Sequence, residues 1–184
     1  DWGAGALQNA HDKTLRAGAG IGGRVDDIAD LGQPVLTLNR VVPLDWLDYN
    51  GHMTESRYLQ AFADSTDRFM EQIGCDAAYI ASGGSYFTAE THIRHIDEVH
   101  AGAKITVHTQ VIMGAGKKMH LFHTMREGDR LLASGEHMLL HVDLATRRAA
   151  PPAAHVEAAL VKVAAAHAGL AAPEGLGRAI GDAR

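Results

Sequence analysis

Residues 43–59 of the chain read PLDWLDYNGHMTESRYL. Asp, Asn and Gly favour turns, so Leu44–Met53 is predicted to form a loop. Thr54 is a helix-capping residue type, and an apolar stripe at helical spacing follows it. The sequence therefore predicts a loop that opens into a helix over Glu55–Ile73, ended by Gly74. The stripe consists of Tyr58, Leu59, Phe62, Ser65, Thr66, Phe69, Met70 and Ile73.

Strand patterns lie on both sides of this helix. Apolar and polar residues alternate over Val35–Pro43 and again over residues 86–94, 105–113, 119–125 and 131–143. The short segments 114–116 and 127–129 suit hairpin turns. A second short helix is predicted over Cys75–Ser82, and a terminal helix after Pro152 with Val156, Leu160 and Val163 on one face. This is an α+β arrangement, an antiparallel sheet wrapped around one long central helix.

The chain divides into three parts. Residues 1–33 are rich in Gly and Ala, with short amphipathic stretches at Leu7–Leu15 and Val25–Leu31, and are interpreted as an N-terminal linker or appendage. Residues 34–168 carry the strand and helix patterns and form the predicted domain. Residues 169–184 are expected to be a flexible C-terminal tail.

Composition limits the possible functions. Hydrophobic residues make up 46% of the 184 residues and the net charge is −5, which favours a globular protein and argues against nucleic-acid or membrane-surface binding. The single cysteine, Cys75, excludes an intramolecular disulfide and fits a reducing, cytoplasmic compartment.

The histidine content of the chain is high, with twelve residues. The pairs His92/His95 and His120/His123 lie three apart on predicted strands, so each pair points to opposite faces. No cysteine pair or His-Glu-x-x-His motif accompanies them, and no metal site is expected.

The loop and helix start also carry a family resemblance. The pattern is an Asp followed by Gly at +3 and His at +4, a polar pair, and Tyr at +10, here Asp48, Gly51, His52, Thr54-Glu55 and Tyr58. It resembles hotdog-fold thioesterases of the 4-hydroxybenzoyl-CoA thioesterase type, over about residues 35–145. The resemblance implies a hotdog fold, an acyl-CoA substrate, no cofactor, and a homodimer or homotetramer.

The same resemblance implies catalytic roles. Asp48 is expected to be the nucleophile or general base, and Asn50 and His52 to orient water or the thioester. The N–H groups at the helix start, near Glu55, are expected to stabilise an oxyanion. Without the family resemblance, the residues favour Asp48 as a turn former, and they leave His52 as a catalytic helper or as a capping or packing residue. Lys117 and Lys118 are expected to contact the CoA phosphates.

Two departures from the family pattern narrow the choice of acyl group that the substrate carries. Thr54-Glu55 replaces the usual Asn-Asn, which puts Glu55 at the site, and Trp46 and Tyr49 flank Asp48. A carboxylate and aromatic faces suit a quaternary ammonium group. Tyr58 is expected to pack or to contact the substrate.

The segment from Asp48 to Tyr58 resembles betainyl-CoA thioesterases of carnitine degradation. Some of these are fused to L-carnitine dehydrogenase, and residues 1–5 are similar to such a junction. Betainyl-CoA hydrolysis is therefore expected. The alternatives are a general short- or medium-chain acyl-CoA thioesterase, a hydratase, or a non-catalytic acyl-CoA-binding hotdog module.

Overall fold

The computed structural model describes residue 21 and residues 23–182. Helix α1 spans Glu55–Gln72, which confirms the predicted start and ends one residue earlier than predicted. Gly74 follows with φ of 94°, a left-handed conformation that suits glycine after a helix. Thr54 is the N-cap residue, as the sequence predicts, although its hydroxyl makes no capping hydrogen bond. Its backbone holds the turn instead, donating to the Trp46 carbonyl and accepting from the Arg57 N–H.

A six-stranded antiparallel sheet curls around α1. Its central path has the order β1-β3-β4-β5-β2, and β6 pairs with β5. The strands are β1 (Val35–Val41), β2 (Gly84–His95), β3 (Lys104–Ala115), β4 (Lys118–Glu127), β5 (Arg130–Asp143) and β6 (Arg148–Ala149). The two predicted hairpins join β3 to β4 and β4 to β5, so the strand predictions are confirmed.

The core lies between α1 and the sheet. Phe62 and Phe69 on α1 are fully buried, each stabilising the fold by about 1.5–3 kcal/mol. Leu59 is the exposed member of the predicted stripe. Helix α2 covers Ala77–Ala81, inside the predicted Cys75–Ser82. Helix α3 covers Ala154–His167 and buries Val156, Leu160 and Val163, as the sequence predicts.

Both ends of the described chain pack onto this domain. Val25, in a stretch interpreted as linker, is buried in the same cluster as α3, and the predicted stretch Leu7–Leu15 lies outside the described residues. After α3 the chain crosses the face of the sheet opposite α1. The Gln110 side chain donates to the Ala171 carbonyl (3.3 Å), and the Gly177 N–H donates to Glu136 (2.8 Å). The expected tail thus has a defined path, while its flexibility stays a prediction.

The part of the chain that the structure describes contains no helix long and apolar enough to cross a membrane.

Candidate active site

Residues 47–54 form a tight loop between β1 and α1. The Asp48 N–H donates to the His52 carbonyl (2.8 Å), and the Gly51 N–H donates to the Asp48 carbonyl (3.1 Å). Gly51 has φ of 80°, a left-handed value at which a residue with a Cβ is strained. Leu47 and Met53 pair across the base of the loop. The glycine in Asp48-Tyr49-Asn50-Gly51-His52 is therefore needed to close the turn.

The two carboxylate oxygens of Asp48 have different surroundings. Oδ1 accepts hydrogen bonds from the N–H groups of Asn50 (2.8 Å) and His52 (3.2 Å). Oδ2 has no hydrogen-bond partner among the described residues, and the side chain is half-buried. The two interpretations of Asp48 are thus compatible, because one oxygen forms the turn while the other is available for chemistry.

The first turn of α1 presents backbone donors next to this loop. The N–H groups of Glu55 and Ser56 lie in the first turn of the helix, so no preceding helical turn supplies carbonyl groups for them to donate to. They lie at the positive end of the helix dipole, where a developing negative charge is stabilised. The Glu55 side chain is exposed and lines the neighbouring cavities.

A depression of about 420 Å³ lies beside the start of α1, lined by Glu55, Tyr58, Glu98 and four other residues. The Tyr58 ring is almost fully buried, and its hydroxyl donates to the Asp97 carbonyl (3.4 Å). Burial, followed by the charge of Asp97, raises the pKa of Tyr58 above its usual value. Tyr58 therefore both packs in the core and lines the depression.

A second cavity of about 1110 Å³ shares Glu55 with this depression. It lies between the start of α1, the end of β2 and the C-terminal segment. Thr54, Leu59, Ile93, Arg94 and Arg178 are among its lining residues. The two cavities adjoin the end of the loop at Met53 and Thr54, whereas Asp48, Asn50 and His52 line neither of them.

The two aromatic residues expected to bind a cation lie elsewhere. Trp46 is only 3% exposed, and the guanidinium carbon of Arg40 lies 4.0 Å from its ring centroid, with that of Arg57 at 5.6 Å. Tyr49 is 97% exposed and lines neither cavity. Of the aromatic residues predicted at the site, Tyr58 is the one that lines the depression.

The lysines predicted to contact CoA lie far from Asp48 within one chain. Lys117 and Lys118 lie at the β3–β4 hairpin, whereas the loop adjoins the other end of β3, where Lys104 pairs with Val41. At about 3.3 Å per residue, β3 separates the two ends by about 36 Å. A single chain therefore does not bring these lysines to Asp48.

The structure adds two residues that the sequence pattern did not reveal. The loop after β2 lies against the active-site loop, because the Met53 N–H donates to the Val99 carbonyl (2.7 Å). This contact brings Glu98 within 3.2 Å of His52 Nε2. It also lets His100 Nδ1 donate to the Gly51 carbonyl (3.2 Å). A tertiary contact brings these segments together, and no local motif encodes it.

Comparison with known proteins identifies the family. The model of the thioesterase-like superfamily matches residues 42–160, which include the loop, α1 and strands β2 to β6. The chain belongs to this superfamily. Asp48 and α1 of this thioesterase-like domain both lie within the matched region.

Curated relatives of this thioesterase-like domain cover most of it. The chain is 65% identical, over 98% of its length, to the L-carnitine dehydrogenase/betainyl-CoA thioesterase of Ruegeria pomeroyi, but spans only 36% of that protein. It is 40% identical, over 82% of its length, to the betainyl-CoA thioesterase of Pseudomonas aeruginosa and spans 97% of that protein. The predicted family resemblance is confirmed.

Solved structures agree on the fold. A candidate thioesterase of Pseudomonas putida KT2440 is 33% identical, with a TM-score of 0.70 over 82% of this chain and 98% of that one. A Staphylococcus aureus protein solved in complex with CoA is 24% identical, with a TM-score of 0.76 over the same shares of the two chains. The predicted α+β hotdog fold is confirmed.

Proposed function

We propose that this domain hydrolyses a short acyl-CoA thioester, with betainyl-CoA as the substrate and glycine betaine and CoA as the products. The observation that carries the proposal is the geometry of the Asp48 carboxylate. Its Oδ1 is held in the turn by two backbone N–H groups, while its Oδ2 has no partner among the described residues. The betainyl-CoA thioesterase of Pseudomonas aeruginosa, matched over almost its whole length, supports the choice of acyl group.

The proposed chemistry uses Oδ2 in either of two routes. As a general base, Oδ2 takes a proton from water, the water oxygen attacks the thioester carbonyl, and the CoA sulfur leaves as a thiolate. As a nucleophile, Oδ2 attacks the carbonyl itself and the CoA sulfur leaves as a thiolate, which gives an acyl-aspartate anhydride. Water then hydrolyses this anhydride to the free acid and the Asp48 carboxylate. In both routes the N–H groups at the start of α1 stabilise the oxyanion. Asn50 and His52 orient the water or the thioester.

The charges around the depression support a cationic acyl group. The exposed carboxylates of Glu55 and Glu98 line it together with the Tyr58 ring. A trimethylammonium group is attracted by such carboxylates and by an aromatic face. We assign the aromatic contact to Tyr58, because it lines the depression, whereas Trp46, covered by Arg40, and Tyr49 do not.

A matched pair of substrates tests the acyl group. Betainyl-CoA and 3,3-dimethylbutyryl-CoA have the same shape and differ in the positive charge of the acyl group. The wild-type domain is expected to prefer betainyl-CoA in kcat/KM, and Glu55→Gln to reduce that preference about tenfold, which corresponds to about 1.4 kcal/mol. Glu157→Gln, at the opposite end of the domain beside Gly116, is the control and keeps the preference. Equal kcat/KM for the two substrates in the wild type contradicts the betainyl assignment.

A general acyl-CoA thioesterase is the second candidate. The wider cavity contains the exposed side chain of Leu59 beside Ile93, an apolar surface that suits a longer acyl chain. A higher kcat/KM for hexanoyl-CoA than for betainyl-CoA favours this function. Binding of acyl-CoA without release of thiol favours a non-catalytic module instead.

We further propose that two copies pair along β2. This edge strand leaves residues 87–91 exposed, including Phe87 at 52%, and an open edge is a template for another strand. Light scattering coupled to gel filtration is expected to give twice the 19.6 kDa of the chain, or four times for a tetramer. A mass of one chain at micromolar concentration contradicts the proposal.

We also infer that the domain works as part of a longer polypeptide with L-carnitine dehydrogenase, in the cytoplasm. The dehydrogenase/thioesterase relative of which it spans 36% supports the fusion, and the free, buried thiol of Cys75 supports a reducing compartment. An immunoblot of the soluble fraction of source cells is expected to show a band near 54 kDa, since 19.6 kDa is 36% of that mass. A band near 20 kDa contradicts the fusion.

A further inference from the structure

Three potential metal ligands converge at the mouth of the active-site loop. They are His52 on that loop and Glu98 and His100 on the loop between β2 and β3. One ligand atom from each residue lies within 4.8 Å of the others. We propose that in the substrate-free domain these three side chains bind a divalent transition-metal ion of the zinc class, a function beyond the proposed hydrolysis. Because Glu98 is also assigned to the cationic acyl group, the ion and that group compete for its carboxylate.

The distances suit a shared ion. Glu98 Oε2 lies 3.2 Å from His52 Nε2, and Glu98 Oε1 lies 3.9 Å from His100 Nε2. Ligand atoms placed about 2.0–2.1 Å from a tetrahedral zinc ion lie about 3.3 Å from one another. Small side-chain rotations therefore bring all three atoms into contact with one ion. Two imidazoles and one carboxylate are also a donor set that zinc uses when it keeps an open fourth position.

The hydrogen bond of His100 fixes which of its nitrogens faces the cluster. Because Nδ1 donates to the Gly51 carbonyl (3.2 Å), Nε2 of the neutral ring carries the lone pair. That lone pair faces the carboxylate of Glu98, and two acceptors repel each other unless a cation or proton lies between them. A metal-bound histidine commonly donates its other N–H to a backbone carbonyl in this way.

Neighbouring contacts hold the three side chains in place, and solvent reaches all three. The rings of His52 and His100 meet edge to face at 4.9 Å between centroids, and the Met53–Val99 backbone hydrogen bond joins the two loops beneath them. The side chains of His52, Glu98 and His100 are 35%, 58% and 60% exposed, which leaves an ion a path from solvent. The nearby carboxylate of Asp48 adds negative charge that favours a cation.

Zinc titration of chelator-treated, substrate-free protein tests the site. Calorimetry is expected to show about one Zn²⁺ per chain, and Glu98→Gln and His100→Ala are expected to weaken binding about tenfold or more. His155→Ala, which removes an exposed histidine that packs beside Tyr79, is the matched control and keeps the wild-type affinity. Circular dichroism of each variant verifies that it folds.

Two results overturn the proposal. One is wild-type protein that binds no Zn²⁺ with a Kd below about 0.1 mM. The other is the same affinity in folded His100→Ala and Glu98→Gln as in the wild type. Titration with Co²⁺ gives an independent readout, since visible absorption bands of bound Co²⁺ depend on its ligands and must change in these variants. Because no substrate is present, failure here leaves the role of Asp48 untouched.

Discussion

Two imidazoles buried between α1 and the sheet are expected to make the fold sensitive to acid. His123 is fully buried, with hydrogen bonds to the hydroxyls of Thr66 and Thr109, each at 2.9 Å. His137 lies 4.9 Å from it, centroid to centroid. Its Nδ1 bonds to Thr91 (3.2 Å), and its Nε2 has no partner among the described residues. Burial lowers the pKa of His137 to about 4 and lowers that of His123 well below its usual value.

The pKa of His137 sets the size and direction of the effect. Below about pH 6.5 the unfolded chain binds a proton that the folded chain does not bind until about pH 4. The stabilisation is therefore complete above about pH 6.5, falls as the pH drops, and is lost by about pH 4. Lowering the pH from about 6.5 to about 5, an interval of about 1.5 pH units, is expected to reduce the free energy of unfolding by about 2 kcal/mol through His137 alone.

Replacement by leucine isolates this contribution. His137→Leu removes an unpartnered buried nitrogen and leaves Thr91 accessible to water, so stability at neutral pH is expected to change by about 1 kcal/mol or less. Urea unfolding at equal protein concentration, at about pH 7.5 and about pH 5, is expected to show about 2 kcal/mol less acid destabilisation in the variant than in the wild type. His155→Leu, at an exposed histidine, keeps the wild-type difference. Equal acid destabilisation in His137→Leu and the wild type would refute the reasoning.

Two further substitutions test the packing and the site. Gly135→Ala is expected to lose about 1–3 kcal/mol of stability, because its Cβ would lie 2.8 Å from Phe62 and 3.0 Å from His137. Gly169→Ala, in open space, is the control in chemical unfolding, and equal stability of the two variants contradicts the packing. Trp46→Phe is expected to lower the melting temperature while leaving kcat/KM for betainyl-CoA within about twofold, since the ring packs under Arg40. A tenfold rise in KM without loss of stability would instead assign Trp46 to substrate binding.

Most of the fold is encoded in local patterns. The helix from Glu55, the five long strands and the two hairpins follow from periodicity and turn residues, because each depends on neighbours in the sequence. The N-cap position of Thr54 also follows from the local sequence, but the use of its backbone rather than its hydroxyl in the turn does not. Periodicity places Leu59 in the apolar stripe, but it does not show where the sheet stops covering the helix, and Leu59 is exposed.

The site could be predicted only in part. The segment from Asp48 to Tyr58 is contiguous, so turn residues and periodicity predict its loop and helix start, whereas the left-handed conformation of Gly51 comes from the structure. Glu98 and His100 lie more than forty residues from Asp48 and reach it through tertiary contacts that no spacing rule describes. Closeness to Asp48 in the sequence does not show which way an aromatic side chain points, and Trp46 points into the core.

The most direct test of the central proposal is hydrolysis of betainyl-CoA by Asp48→Asn, followed through the released thiol. The asparagine Oδ1 can still accept the two backbone N–H bonds of the turn, so the melting temperature and KM are expected to stay close to those of the wild type. Loss of the reactive Oδ2 is expected to lower kcat about a hundred- to ten-thousandfold. A folded variant that retains more than about a tenth of the wild-type kcat contradicts catalysis by Asp48.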